Sequence, residues 1–295
     1  MLIPGPKKIR RKWREFKSLF YMIYYPKRYA DLLYFKTFGH YINWKEPRDL
    51  NEWINYLAFN TDTHDWSRLS DKLAARDYVS SRGLDSILIP IYGVWDNAND
   101  IDFNLLPNSF VLKTNHACGD TIMVTDKSSI DTESIRQHIR NSLSLRFGVE
   151  TAEPHYLRIA PKIFAEQLVP PPLNIDYKVW CFHGIPECIM TISNRDIESG
   201  HYCMNVYDLD WNKHPEWVTT HYQNSIEIPK PKRLNEMIDY ARILSKGFPQ
   251  VRVDFYHTNK GIFFGELTFT SACGRMTYFT EECLISFGNK VKKGF

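Results

Sequence analysis

The stretch VRVDFYHTNKGIFFGELTF, residues 251–269, limits the fold more than any other part of the chain. Val251, Val253 and Phe255, then Ile262, Phe263, Phe264, Leu267 and Phe269, read as two apolar strands, and HTNKG between them holds the Asn and Gly of a tight turn. Strands this apolar are mostly buried. Yet each carries an acid, Asp254 and Glu266, near the ends that the turn brings side by side. A buried carboxylate is costly unless it is paired or coordinates a cation, so two that converge suggest a metal. The competing reading pairs Asp254 with Arg252 and leaves Glu266 in solvent.

The rest of the chain repeats the hairpin theme. Segments 46–57 and 67–83 read as helices, the second with Ser70 and Asp71 as cap candidates and Gly83 as its stop. SILIPIYGVW reads as a strand, and LPNSFVLKTNHACGDTIMVTD as strand, polar turn, strand. A helix over 131–146 follows, then the short strand KIFAEQLV and the hairpin DYKVWCFHGIPECIMTISNR, turning at HGIP. A helix over 232–246 precedes the opening hairpin. PPP at 170–172 must be turn or extended loop. This mixed order predicts an α+β fold with antiparallel sheets. No GxGxxG or GxxxxGK[ST] points to a doubly wound nucleotide fold.

With 295 residues, 43% of them hydrophobic, the chain can bury a large core. It has no apolar run long enough to span a membrane and no recognisable signal peptide, so a cytoplasmic protein is expected. Six cysteines lack CxxC or Cys/His zinc spacing, which favours reduced thiols. Charge is uneven: residues 1–36 hold ten Lys or Arg against Glu15 and Asp31, leaving 27 basic and 32 acidic residues beyond. Within that head Ile9, Trp13, Phe16, Phe20 and Ile23 recur at helical spacing beside KKIRRKWR. A basic amphipathic helix suits an anionic membrane surface; an apolar stripe docked on the protein's own body is the alternative. No other basic patch or aromatic motif argues for nucleic acid.

Lys113 lies within the apolar strand FVLKT, and the polar loop NHACGDT after it contains Gly119. A strand lysine beside a flexible hairpin offers phosphates a fixed charge and backbone donors. Glu166 ends an apolar strand before QLV, whose backbone could meet an adenine edge. Asp176 and Lys178 alternate along DYKV, so they share a face.

Together, in this order, FVLKTNHACGD, DYKVWCFHG, VRVDFY…GIFFGELTF and LSDKLAARDYV resemble the ATP-grasp superfamily, and in particular its TupA-like branch, over roughly residues 45–280. The resemblance implies two α+β subdomains gripping ATP, over 111–169 and 170–295. A basic N-terminal helix over 1–36 and a helical region over 37–110 would precede them. It implies Mg2+ ligands in Asp254, Glu266 and Thr268, the last where an Asn is usual. It implies ATP contacts by Lys113, Asn115, His116, Gly119, Glu166, Gln167, Leu168, Val169, Asp176 and Lys178. Arg252 and Gly274 would stabilise the tetrahedral intermediate, and Arg195 could reach the transferred phosphoryl group. The implied activity is a carboxylate-amine ligase working through an acyl phosphate, joining a hexuronic acid to an amino acid in capsule, O-antigen or cell-wall polysaccharide synthesis. Residues 84–110 and 196–225 are the expected substrate surface.

Two other readings stay open. A nucleotide-sugar-dependent glycosyltransferase would use the same acids under a diphosphate, although the DxD match DLD at 208–210 falls in a segment read as loop. A non-catalytic scaffold would need neither acid.

Overall fold

A computed structural model of the chain describes residues 6–169, 175–193 and 202–294, with side chains from Trp13 onward. Arg195, the proline run at 170–172 and the side chains of Ile9 and basic residues 7–12 lie outside the described residues. Two antiparallel sheets dominate, as the α+β reading expects. The smaller has the order β1-β4-β2-β3, from β1 (Ile91–Trp95), β2 (Phe110–Thr114), β3 (Ile122–Val124) and β4 (Ile163–Glu166). The larger runs β7-β6-β5-β8-β9, from β5 (Asp176–Phe182), β6 (Ile185–Ser193), β7 (Cys203–Tyr207), β8 (Gln250–Thr258) and β9 (Gly261–Thr268).

Helices cover the backs of these sheets. In the small sheet Phe110, Leu112, Ile163 and Ala165 pack with Ile139 of α6 (Thr132–Leu143). Its other face, carrying Val111, Lys113, Phe164 and Glu166, is left for function. In the large sheet Val179, Cys181, Val251 and Val253 join Met237, Ala241 and Leu244 of α7 (Leu234–Ser245) in the main core. On the opposite face Trp180 packs against Phe279 and Phe287, the latter on α8 (Glu281–Lys292). Neither β7 nor α8 was expected from the pattern. α8 nevertheless has a capping threonine, Thr280, whose hydroxyl accepts the Cys283 N–H at 3.4 Å, then two glutamates in its first turn.

Expected helices fall close to their places, with two instructive shifts. The segment 46–57 starts late, as α3 (Leu50–Asn60), because Pro47 precedes a true cap: Asp49 accepts the Glu52 N–H at 2.9 Å. The single helix expected over 67–83 is two, α4 (His64–Ser70) and α5 (Ala74–Ser81). The Asp71 carboxylate takes the N–H of Leu73 at 2.8 Å, so the chain turns where an uninterrupted helix would continue.

The basic head is also two helices, α1 (Pro6–Tyr24) and α2 (Pro26–Phe38), with Pro26 opening the second rather than ending the first. α1 docks through Ser18 and Met22, with the Ser18 hydroxyl 2.7 Å from that of Tyr29. The described part of its apolar stripe faces the other way: Trp13 is 69% exposed, Phe16 64%, Phe20 44% and Ile23 60%. Among the described residues the stripe is more exposed than docked, with Phe16 on the wall of a cavity it shares with residues 144–151. Among the described residues no helix is long and apolar enough to cross a membrane.

Candidate nucleotide and metal site

Strand register places the acids. Asp254 stands directly opposite Glu266 across β8 and β9, and directly opposite Lys178 across β5 and β8. Side chains of directly opposed residues share a face, so these three emerge together. A bulge sharpens the convergence: Asp254 pairs with Glu266 but Phe255 pairs with Phe264, leaving Gly265 as the extra residue. A Cβ on Gly265 would come 3.0 Å from the Asp254 carbonyl oxygen, so a side chain next to Glu266 would have to push that backbone aside by a few tenths of an ångström.

The pairing of Asp254 with Arg252 is present. Arg252 donates to both Asp254 oxygens at 2.7 and 2.8 Å, to Glu266 at 3.3 Å, to Thr268 at 3.0 Å and to the Ser271 hydroxyl at 3.2 Å. Lys178 also pairs with Asp254. Burial would raise the Asp254 pKa, but Arg252 and Lys178 outweigh it and hold the carboxyl below its ordinary range. Burial likewise opposes charge on Arg252, and Asp254 with Glu266 overcomes it, raising its pKa. The guanidinium is thus locked as a cation behind the two acids.

Two adjoining cavities lie between the sheets. One, of about 370 Å³, is walled by Lys113, Glu166, Gln167, Leu168, Val169 and Asp176, with Ile89 and Tyr256 beside them. The other, of about 160 Å³, collects Lys113, Gly119, Asp176, Lys178, Asp254 and Glu266, together with Lys72. The first is a slot for a flat apolar ring; the second gathers three lysines and four acids, Asp120 being the fourth, suited to phosphates with a hard cation. Lys113 is paired with Glu166 at 2.6 Å. The Gln167 N–H is given to the Pro90 carbonyl at 2.9 Å, which ties the 166–169 segment to the chain entering β1.

Several expected residues sit elsewhere. The Asn115 side chain is buried and accepts the Lys162 N–H at 2.7 Å while donating to the Ala160 carbonyl at 3.1 Å. It braces the loop rather than facing the cavities. His116 is buried with Nε2 3.3 Å from the Leu145 carbonyl, and burial holds its pKa below the ordinary imidazole value. Thr268 is turned to Arg252 and Glu266, donating to the latter at 3.0 Å, and is on neither cavity wall. Gly274 closes a turn in which Ala272, Cys273 and Gly274 all have positive φ, and its carbonyl accepts from Asn55 at 3.0 Å. Left-handed backbone at two consecutive non-glycine residues stores strain beside the site.

Sequence reading missed Lys72, Tyr256, Gly265 and Glu153. Lone glycine inside the apolar run FFGE was the available signal for the bulge. Nothing local marks Glu153, which is buried between Thr270 and Thr151, accepting from the Thr151 hydroxyl at 2.6 Å and paired with the Thr270 hydroxyl. Burial raises its pKa, so the native state favours the protonated acid. That contribution is complete below the ordinary carboxyl pKa and is lost as pH rises through the raised folded value. In urea titrations across pH, Glu153→Gln should gain on the wild type as pH increases; a pH-independent difference between them would contradict this.

The six cysteines are all free, as their spacing suggested. Among the described residues no group of three or more His, Cys, Asp or Glu could hold a metal by itself. Two hard carboxylates beside a phosphate cavity nevertheless fit Mg2+, which keeps waters and takes phosphate oxygens to complete its shell.

The profile of the TupA-like ATP-grasp family matches residues 52–292, and the chain belongs to that family. It is accordingly an ATP- and Mg2+-dependent carboxylate-amine ligase of the ATP-grasp class. Similar solved structures include D-alanine–D-alanine ligase from Bacillus anthracis complexed with ATP, at 12% identity and TM-score 0.41, covering 77% of this chain and 67% of that one. L-amino acid ligase from Bacillus licheniformis is 12% identical with TM-score 0.48, covering 86% of this chain and 57% of that one. D-cycloserine synthetase DcsG is 13% identical with TM-score 0.45, covering 78% and 71%. No curated protein matches the sequence.

Proposed function

We propose that the enzyme amidates a hexuronic acid with an amino acid, within capsule, O-antigen or cell-wall polysaccharide synthesis. The observation that carries the ligase chemistry is the pairing of Asp254 with Glu266 over a cavity that also holds Lys113 and Lys178. The sugar acid and the amine come from the TupA-like character of the chain. When bound, Mg·ATP supplies the phosphoryl group that activates the carboxylate as an acyl phosphate, with Mg2+ offsetting the phosphate charge.

The protein's own part is positioning. Gln167 to Val169 line the base slot, Asp176 stands at its junction with the phosphate cavity, and Lys113 and Lys178 neutralise phosphate oxygens. Arg252, fixed on four sides, stabilises the oxyanion as the amine adds, and Gly274 shapes the strained turn at that end. No side-chain nucleophile is called for. Residues 111–169 and 170–295 act as the two gripping units in this reading. The substrate would enter past a polar cavity of about 390 Å³ lined by Asn205, Lys213, Gln223 and Asn224. ADP and phosphate release tests the proposal, with uronic acids, free and nucleotide-linked, screened against amino acids. Release that requires both a uronic acid and an amine supports it; release with amino acid pairs alone would exclude the sugar.

Residues 7–25 would hold the enzyme at the inner, anionic face of a membrane. Support comes from the outward stripe of Trp13, Phe16, Phe20 and Ile23 beside the basic cluster. Replacing those four with serine should lower co-sedimentation with phosphatidylglycerol vesicles by about tenfold or more, since each large apolar side chain contributes roughly 1.5–3 kcal/mol when fully buried. Unchanged co-sedimentation would remove the membrane from the account.

A further inference from the structure

A cavity of about 580 Å³, larger than the three described above, opens between α1 and the segment 144–151. Phe16 and Leu19 form one wall, Leu145, Phe147 and Val149 the other. Leu19 and Val149 belong to the small core around Met22 and Tyr34 and so mark its inner end, whereas Phe16 and Leu145, 64% and 42% exposed, mark its mouth. Polar pins at Glu150 join the walls. Arg14 meets the Glu150 carboxylate at 3.2 and 3.0 Å, and the Tyr29 hydroxyl donates to the Glu150 carbonyl at 3.2 Å. The second wall is fixed in shape. Gly148 has φ +87°, where a Cβ would lie 2.4 Å from the Glu153 carbonyl oxygen, and Phe147 packs edge-on against Tyr156 with centroids 4.7 Å apart. Close-packed proteins leave few voids larger than a water, so an apolar space of this size between two fixed walls is built to hold something.

Two features choose the occupant. Phe16 belongs both to the cavity wall and to the exposed stripe with Trp13 and Phe20, so the mouth is continuous with the apolar face of α1. Arg146, exposed and on the same lining, has a guanidinium that makes no hydrogen bond or ion pair with a described residue. Two acids share the lining, Glu15 and Glu150, and the second is matched by Arg14. An apolar interior with an unmatched fork of donors at its rim complements an amphiphile, a hydrocarbon chain with an anionic, oxygen-rich head.

We infer that the groove between α1 and residues 144–151 binds one hydrocarbon chain of an anionic lipid, with the phosphate head on Arg146. This goes beyond the membrane reading of α1, which needs only the outer stripe. The wall that would hold the lipid is also tied to the nucleotide site. The Leu145 carbonyl lies 3.3 Å from His116 Nε2 in the loop after β2, and the Thr151 carbonyl accepts from Arg275 at 3.2 Å in the turn after β9. A lipid in the groove is therefore held against the two segments that flank the metal acids.

The test is calorimetry on the full-length protein with octyl, decyl and dodecyl phosphate below their micelle-forming concentrations. Dodecyl maltoside supplies a neutral head, and glycerol phosphate the head without the chain. The wild type should bind the alkyl phosphates saturably, roughly tenfold more tightly for every two carbons added. Leu145→Glu, at an exposed position, should weaken dodecyl phosphate by about tenfold or more by placing a charge on the apolar wall. Arg146→Met should weaken it by about three- to tenfold and leave dodecyl maltoside unchanged. Affinity independent of chain length, glycerol phosphate bound as tightly as dodecyl phosphate, or wild-type affinity in Leu145→Glu would each overturn the groove. Equal effects of Arg146→Met on both heads would overturn the choice of an anionic one. Sedimentation velocity without lipid adds a further check: a wild-type dimer that Leu145→Glu dissociates would make a second copy of the chain the occupant and overturn the lipid. Vesicle co-sedimentation run in parallel separates the two readings. Vesicle binding without alkyl phosphate binding sinks the groove alone, and the reverse sinks the membrane surface alone.

Discussion

Asp254→Asn is expected to lower ligase turnover by about 100- to 1,000-fold, the range found when one preorganised electrostatic group is removed from a reacting centre. Asn keeps the shape of the side chain but gives up the charge. Two cations, Arg252 and Lys178, then face each other across a neutral group, in a position that is 6% exposed. One of the two carboxylates that fit Mg2+ is lost as well, and Glu266 alone has no second hard ligand opposite it. Removing one partner of a buried pair also costs about 3–5 kcal/mol, so the folded fraction has to be checked by urea titration alongside the rate. Full turnover in Asp254→Asn would be incompatible with Asp254 as a member of the reacting centre.

Arg252→Met should have the second largest effect, and a different signature. The guanidinium ties Asp254, Glu266, Thr268 and Ser271 together, and methionine satisfies none of them. Asp254 is then left with Lys178 alone, and loss of one partner of a buried ion pair costs about 3–5 kcal/mol. Because Arg252 lies behind the acids rather than on either cavity wall, affinity for an ATP analogue should fall less than turnover does. Arg252→Lys keeps a charge but loses the planar fork, so it should restore stability only in part. Equal loss of affinity and turnover would place Arg252 among the nucleotide contacts.

Much of this was legible because strand pairing obeys simple rules. A tight turn with an acid on each strand leaves few registers, and Asp254 and Glu266 do stand opposite each other. Asp176 and Lys178 share a face because a strand has a period of two. What sequence reading could not supply is where loop side chains turn. Asn115 and His116 lie beside Lys113 in the chain, yet their polar groups answer to residues 160–162 and 145. Such partners are distant in sequence. Lys72 was hidden by a helical pattern that runs through it, and only the Asp71 turn shows why it points into the site. α8 was overlooked although Thr280 and the glutamates after it spell a helix start. β7 falls where a substrate loop had been expected: its Met204, Val206 and Tyr207 are buried, and Tyr207 stacks on Trp211 with centroids 4.1 Å apart.

The central claim is that the paired cavities take Mg·ATP, and calorimetry of the purified wild-type protein tests it most directly. A non-hydrolysable ATP analogue with magnesium and UDP-sugars with magnesium would be titrated separately. The account predicts binding of the ATP analogue at about micromolar Kd, equivalent to roughly −8 kcal/mol, and no saturable binding of UDP-sugars in the same site. Binding of a UDP-sugar without binding of the ATP analogue would contradict it and make glycosyl transfer the leading description.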